Sequence, residues 1–186
     1  LPINKIIVAT NSNDILSRFF QTGIYKVSRV IPTLSPSMDI QVASNFERLL
    51  FECLDYNSSL VIEYMNKLNT DGEFEINKEK LLKLNNTFTG VSVNDAKTIE
   101  RIRNCFNDNN IIIDPHTSVG LEAAHRVNLK ELCIVLSTAH PVKFSSAVNK
   151  AINIKPIFPE KYKNIFSLKE KYQFMPNELN EIKSFI

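Results

Sequence analysis

The sequence predicts an α/β domain, a mainly parallel sheet flanked by helices. Three observations predict it. Strand and helix patterns alternate through most of the 186 residues. The strand bodies are plain runs of Ile, Val and Leu, as expected of strands buried on both faces. The segments that follow them ("TNSND", "PTLSPSMD", "SVND", "DPHTS" and "STAHPVK") are rich in hydroxyls, amides and histidine. In parallel sheets, ligands bind beyond the carboxyl ends of the strands.

"KIIVAT" (Lys5–Thr10) is a continuous apolar run and predicts the first strand. Asn13 or Asp14 then caps a helix over Ile15–Gln21, which Gly23 stops. "VSRVIPTL" predicts a second strand, weakened by Pro32. After a polar stretch, Ser44 caps the helix "NFERLLFECL", with Phe46, Leu49, Leu50 and Cys53 or Leu54 on one face. Residues 57–86 carry two helical patterns, "SLVIEYMNKL" and "NKEKLLKLN", around a small turn or strand, "DGEFEI". Their polarity predicts an insertion on the main sheet. "TFTGVSV" is a strand, and Asn94 or Asp95 caps the helix "AKTIERIRNCF". "IIID" (Ile111–Asp114), "TSVGLEAAHRV", "ELCIVLST" and "KFSSAVNKAI" predict strand, helix, strand, helix. This divides the chain into an α/β domain over 1–152, with a helical insertion at about 57–86, and a peripheral tail over 153–186.

The composition sets bounds on function. A net charge of +2 with scattered lysines predicts no nucleic-acid partner. No run approaches the roughly 18 apolar residues of a membrane span. Cys53, Cys105 and Cys133 form no CxxC pair and are expected as buried free thiols, which fits a reducing, cytoplasmic setting. Leu1 opens directly into a turn and a strand, which predicts no leader. The abrupt, Met-less start predicts a piece of a longer protein.

Familiar catalytic signatures are absent from the sequence. No G-x-S-x-G elbow surrounds Ser137. His116, His125 and His140 lack metal-ligand spacing, so no metal is expected. The glycines (Gly23, Gly72, Gly90 and Gly120) are isolated and build neither G-x-G-x-x-G nor a P-loop. Donors for a phosphorylated ligand would have to be side chains, with Arg48 and Lys143 as candidates. Arg18, Arg101 and Arg103 read as solvated helix faces. Ordinary capping explains Asn and Asp at the strand ends, but it explains His140-Pro141-x-Lys143 poorly.

Taken in order, "ATNSND", "TLSPSMDI" followed by "SNFERLL", "DPHTSVG" and "STAHPVKF" resemble the carboxyl-terminal part of threonine synthase. The resemblance runs from Leu1 to about Ile152, and "TAHPVKF" with "SMD" and a following Asn and Arg is its most specific part. It implies the larger domain of a tryptophan-synthase-β-like, fold type II pyridoxal-phosphate enzyme. That family converts O-phosphohomoserine and water to threonine and phosphate. On this resemblance Thr138 or Ser137 faces the pyridine nitrogen, and a neutral hydroxyl there leaves the ring nitrogen mostly uncharged. Asn11 lies near the cofactor. Asn13, Ser35, Ser37, Asn45, Arg48, His116, His140 and Lys143 surround the substrate, with Arg48 able to pair with a carboxylate bidentately and Lys143 acting as a point charge for phosphate. His116 and His140 orient these groups or shuttle protons, and Asp114 structures its strand end.

The departures from the family pattern matter as much. The Phe-Lys-Asp string that holds the Schiff-base lysine does not occur here, and neither does the glycine-containing phosphate loop. The resemblance therefore implies that the missing amino-terminal half of the same enzyme is a partner, and that this chain alone is inactive. Two other readings remain open. One is a non-catalytic α/β module that binds a small anion or a partner chain. The other is a different fold type II lyase, such as a dehydratase.

Overall fold

The computed structural model describes residues 3–186, so the expectation about Leu1 lies outside the described residues. The chain divides into two compact units, one running to Pro156 and the other comprising Ile157–Ile186.

In the first unit, β1 (Ile6–Thr10) leads into α1 (Ile15–Thr22), which ends at Gly23 in the left-handed conformation, φ +80°. β1 pairs in parallel with β4 (Phe88–Ser92), in register from Ile6 opposite Phe88 to Thr10 opposite Ser92. α1 crosses this pair so closely that a Cβ on Gly90 would sit 2.6 Å from the Ser17 Cα, so only glycine fits there. A second pairing is antiparallel and joins β2 (Ile24–Lys26) to β3 (Glu73–Glu75). Around these lie α2 (Phe46–Cys53), α3 (Ser58–Asp71), α4 (Lys78–Thr87), α5 (Asp95–Asn109), α6 (Pro115–Val127) and α7 (Ser145–Ile152). The second unit carries α8 (Leu179–Phe185) and two short 3-10 turns.

The main core is aromatic. Phe19, Tyr25, Phe46 and Phe74 are buried together, with the Tyr25 and Phe74 rings stacked at 5.2 Å and the Phe19 and Phe46 rings edge-on at 4.7 Å. Such pairs add about 1 kcal/mol beyond their burial. Leu68, Phe74, Ile76 and Leu84 of the 57–86 region belong to this same core. Burial raises the Tyr25 hydroxyl above its usual pKa, while the N–H of Ala43 donates to it at 3.0 Å.

Several expectations are corrected. "VSRVIPTL" is not a strand, because side chains take the place of a neighbouring strand. The N–H groups of Ser28, Ile31, Thr33 and Leu34 donate to side-chain oxygens of Gln41, Asn13, Asp39 and Asp95. Ile111–Asp114 and Leu132–Leu136 are also not strands, since neither has a ladder partner among the described residues. The second segment is largely uncovered. Leu132, Ile134 and Leu136 are 92%, 74% and 75% exposed, while Val135 lies against Gly120. Cys133 is exposed and Cys105 half-buried, so only Cys53 is a buried thiol. α2 starts from Asn45 rather than Ser44, without a side-chain cap, and Asp14 at the start of α1 makes no capping bond either.

The expected solvated arginines are tied down. Arg18 pairs with Asp14, Arg103 donates to the Ala151 carbonyl, and Arg101 is bound to buried Glu122. Among the described residues, no helix is long and apolar enough to cross a membrane.

Candidate functional site

Beyond the carboxyl end of β1, Asn11 and Asn13 are buried side by side, and the Asn11 side-chain oxygen accepts from the N–H of Asn13 at 2.8 Å. Buried amides must find partners, and the loop Thr33–Asp39 supplies them. Asp39 is the hub. Its Oδ1 accepts from Asn11 Nδ2 at 2.7 Å, Asn13 Nδ2 at 3.0 Å and Thr33 Oγ1 at 2.6 Å, and its Oδ2 accepts from the Thr33 N–H at 2.9 Å. Ser35, also buried, accepts from Asn11 through its hydroxyl at 3.1 Å. The knot is closed and polar throughout.

A second set lies at the start of α6. Pro115 occupies the first helical turn, where its missing N–H costs nothing, and buried Asp114 caps it. Its Oδ2 accepts from the His116 N–H and faces His116 Nδ1, both at 2.9 Å. Its Oδ1 accepts from the N–H and hydroxyl of Thr117. The other ring nitrogen of His116, Nε2, accepts from the N–H of Ser37 at 3.2 Å, which joins α6 to the Thr33–Asp39 loop. That bond requires an unprotonated Nε2, so the proton sits on Nδ1 and points at Asp114.

The third set follows Leu136. Ser137, Thr138 and His140 are exposed. Ser137 Oγ lies 3.4 Å from Thr117 Oγ1, and His140 Nδ1 accepts from the Val142 N–H at 3.2 Å. The 3-10 turn Pro141–Phe144 places Phe144 4.4 Å from the His116 ring and leaves Lys143 exposed. Among the described residues, Thr138 makes no side-chain hydrogen bond, and neither Arg48 nor Lys143 has an ion-pair partner.

The structure thus brings Asn11, Asn13, Ser35, Ser37, His116 and Ser137 into one connected framework. Thr138, His140 and Lys143 lie on the segment that continues from it. Asn45 and Arg48, at the start of α2, are exposed and share no bond with that framework. Sequence reasoning missed Asp39 and Thr33 as structural hubs. The available clue was two amides in N-x-N spacing at a strand end, which need a common acceptor if buried. His116, expected at a strand end, sits in the first turn of a helix with both ring nitrogens engaged.

A separate cavity of about 370 Å³ lies between α5, α6 and the following segment, lined by Arg101, Cys105, His125 and Cys133 among others. It contains none of the predicted site residues. Polar groups in number converge at the strand ends instead.

A parallel β pair with helices packed on it, and a polar rim beyond its carboxyl end, make this part of the chain an α/β domain. A family model described as "Threonine synthase, C-terminal" matches residues 117–186. The chain is 38% identical to threonine synthase of Pseudomonas aeruginosa over all of its own length and 40% of that protein's. It is 39% identical to threonine synthase of Saccharomyces cerevisiae over 94% of itself and 39% of that protein. The crystal structure of pyridoxal-phosphate-bound threonine synthase from Brucella melitensis superposes on the whole chain with a TM-score of 0.86 at 35% identity, covering 40% of that structure. The chain is thus similar to threonine synthases along its whole length and spans about two-fifths of the length of these relatives.

Proposed function

We propose that this chain works as the carboxyl-terminal part of a cytoplasmic threonine synthase, converting O-phospho-L-homoserine and water to L-threonine and phosphate. One observation carries the reading. Four of the motif segments, Asn11–Asp14, Thr33–Asp39, Asp114–Thr117 and Ser137–Phe144, converge on one rim in a chain that matches threonine synthases along its whole length.

The residues fit one side of pyridoxal phosphate. Thr138 offers an exposed hydroxyl without an intramolecular partner, which suits the ring nitrogen, with Ser137 beside it. When bound, pyridoxal phosphate supplies the electron sink for carbanion chemistry. The four isolated glycines offer no phosphate cradle, and the Schiff-base lysine belongs to an amino-terminal portion of the kind the relatives carry. Lys143, Arg48, Asn45 and His140, all exposed, are the groups available to a phosphate and a carboxylate. Asn11, Asn13, Ser35, Ser37 and His116 form the wall beside the segment that carries His140 and Lys143.

The test joins the amino-terminal portion of the P. aeruginosa relative to this chain and measures phosphate release from O-phospho-L-homoserine with pyridoxal phosphate added. Release by the chimera and none by the chain alone is the expected result. A folded chimera that binds cofactor and releases no phosphate overturns the proposal.

A further inference from the structure

We infer that His116 is a positioning residue that holds the Thr33–Asp39 loop at a fixed distance from the start of α6, rather than a group that touches substrate. The inference rests on the proposed threonine synthase site for its purpose, but not for its test. Both ring nitrogens are committed. Nδ1 faces Asp114 Oδ2 at 2.9 Å, and Nε2 accepts from the Ser37 N–H at 3.2 Å. Neither lone pair nor proton is left over for a ligand or a proton relay. The carboxylate that orients the ring is itself immobile. Asp114 is fully buried and spends its oxygens on the first turn of α6 as well as on the imidazole. Phe144 covers the ring from the third segment at 4.4 Å. Rigidity therefore passes from the buried cap of α6, through one imidazole, to a single backbone N–H on the loop that carries Ser35 and Ser37. A second support, from Asp95 Oδ1 to the Leu34 N–H at 3.2 Å, steadies the loop three residues earlier and makes the His116 contact specific to the Ser37 end.

Two substitutions separate the two ends of the ring. Glutamine can place an oxygen where Nε2 stands and keep the bond to Ser37. Asparagine reaches only the Nδ1 position and keeps Asp114 alone. On the full chain, the readouts are the imidazole tautomer of His116 by nitrogen NMR and the exchange rate of the Ser37 amide. The expected result is an Nδ1-protonated, Nε2-bare ring in the parent. Ser37 exchange should be near the parental rate in His116→Gln and about fivefold to tenfold faster in His116→Asn, the change expected for losing one hydrogen bond. A proton on Nε2 in the parent, or equal Ser37 exchange in the two variants, overturns the inference. The tautomer measurement needs no variant to fold, and neither readout needs turnover.

Discussion

The loop Thr33–Asp39 and the segment Ser137–Lys143 are alike in sequence, each a hydroxyl-rich polar stretch containing a proline. The structure treats them in opposite ways. In the first, side chains and backbone N–H groups are matched one to another around Asp39. In the second, Thr138 and Lys143 are exposed without side-chain partners among the described residues, and His140 bonds only its own turn. The matched region behaves as a scaffold, because removing a partner there leaves buried polar groups unpaired. In the second, the Thr138 and Lys143 side chains can change with little folding cost, which is what a ligand-facing surface requires. The difference teaches that polarity at a strand end is not by itself a sign of binding, whereas polarity left unspent is a better one.

The sharpest way to break this contrast is at Asp39. Asp39→Ala removes the acceptor shared by the amides of Asn11 and Asn13 and by the hydroxyl and N–H of Thr33, and should cost about 3 kcal/mol in urea unfolding. Asp39→Asn, which retains one oxygen, should cost less. A chain with Asp39→Ala that unfolds at the parental midpoint would show the knot to be ornamental. Next comes Gly90→Ala, which must push backbone rather than side chain, since Ser17 Cα stands 2.6 Å from the new methyl. About 2 kcal/mol is expected, measured the same way, and a neutral outcome would mean α1 is free to slide on the β1–β4 pair.

These two positions also mark what could be read in advance. The Ile6–Thr10 and Phe88–Ser92 strands and most helix spans follow from local periodicity, and the structure has them, whereas the strand-helix alternation stops after Ser92. Ile111–Asp114 and Leu132–Leu136 form no strands because a strand is a property of two segments, while an apolar run belongs to one. "VSRVIPTL" failed for another reason. Its donors are met by side chains as far as 61 residues away, as in Leu34 to Asp95, which no local window contains. The candidate residues were legible from the resemblance, but their division into wall and rim was not. That division depends on Asp39 and Asp114, whose identity as shared acceptors exists only once the segments meet.

Glu122 offers a smaller effect with a definite sign. Burial alone pushes its carboxyl up, but hydrogen bonds from Arg101 and Arg126 outweigh burial and hold it below the usual carboxylate range. A pKa depressed by folding gives stability that is complete above the ordinary carboxylate pKa and is lost as pH falls through the folded value. Glu122→Gln should therefore cost about 1.5 kcal/mol near neutrality. The gap between variant and parent should close on titration from about pH 6 towards about pH 3. A gap independent of pH would place the pair's contribution in packing, not charge.

Thr138 should give the smallest change in stability, and it is the case in which the contrast becomes functional. Its hydroxyl is exposed and makes no side-chain hydrogen bond among the described residues, so Thr138→Ala should shift unfolding by less than about 0.5 kcal/mol. Under the proposed function the same hydroxyl meets the cofactor's ring nitrogen, so in the chimera the variant should lose on the order of tenfold in kcat, with Thr138→Ser restoring most of it. Asn11→Ala supplies the opposite pattern. It opens the knot, so stability falls first and any loss of turnover follows from unfolding. If Thr138→Ala destabilises the chain as much as Asn11→Ala does, the hydroxyl is part of the scaffold and the distinction between spent and unspent polarity fails. If it leaves both stability and turnover untouched, the rim survives but Ser137, the neighbouring hydroxyl, takes the place of Thr138 at the ring nitrogen.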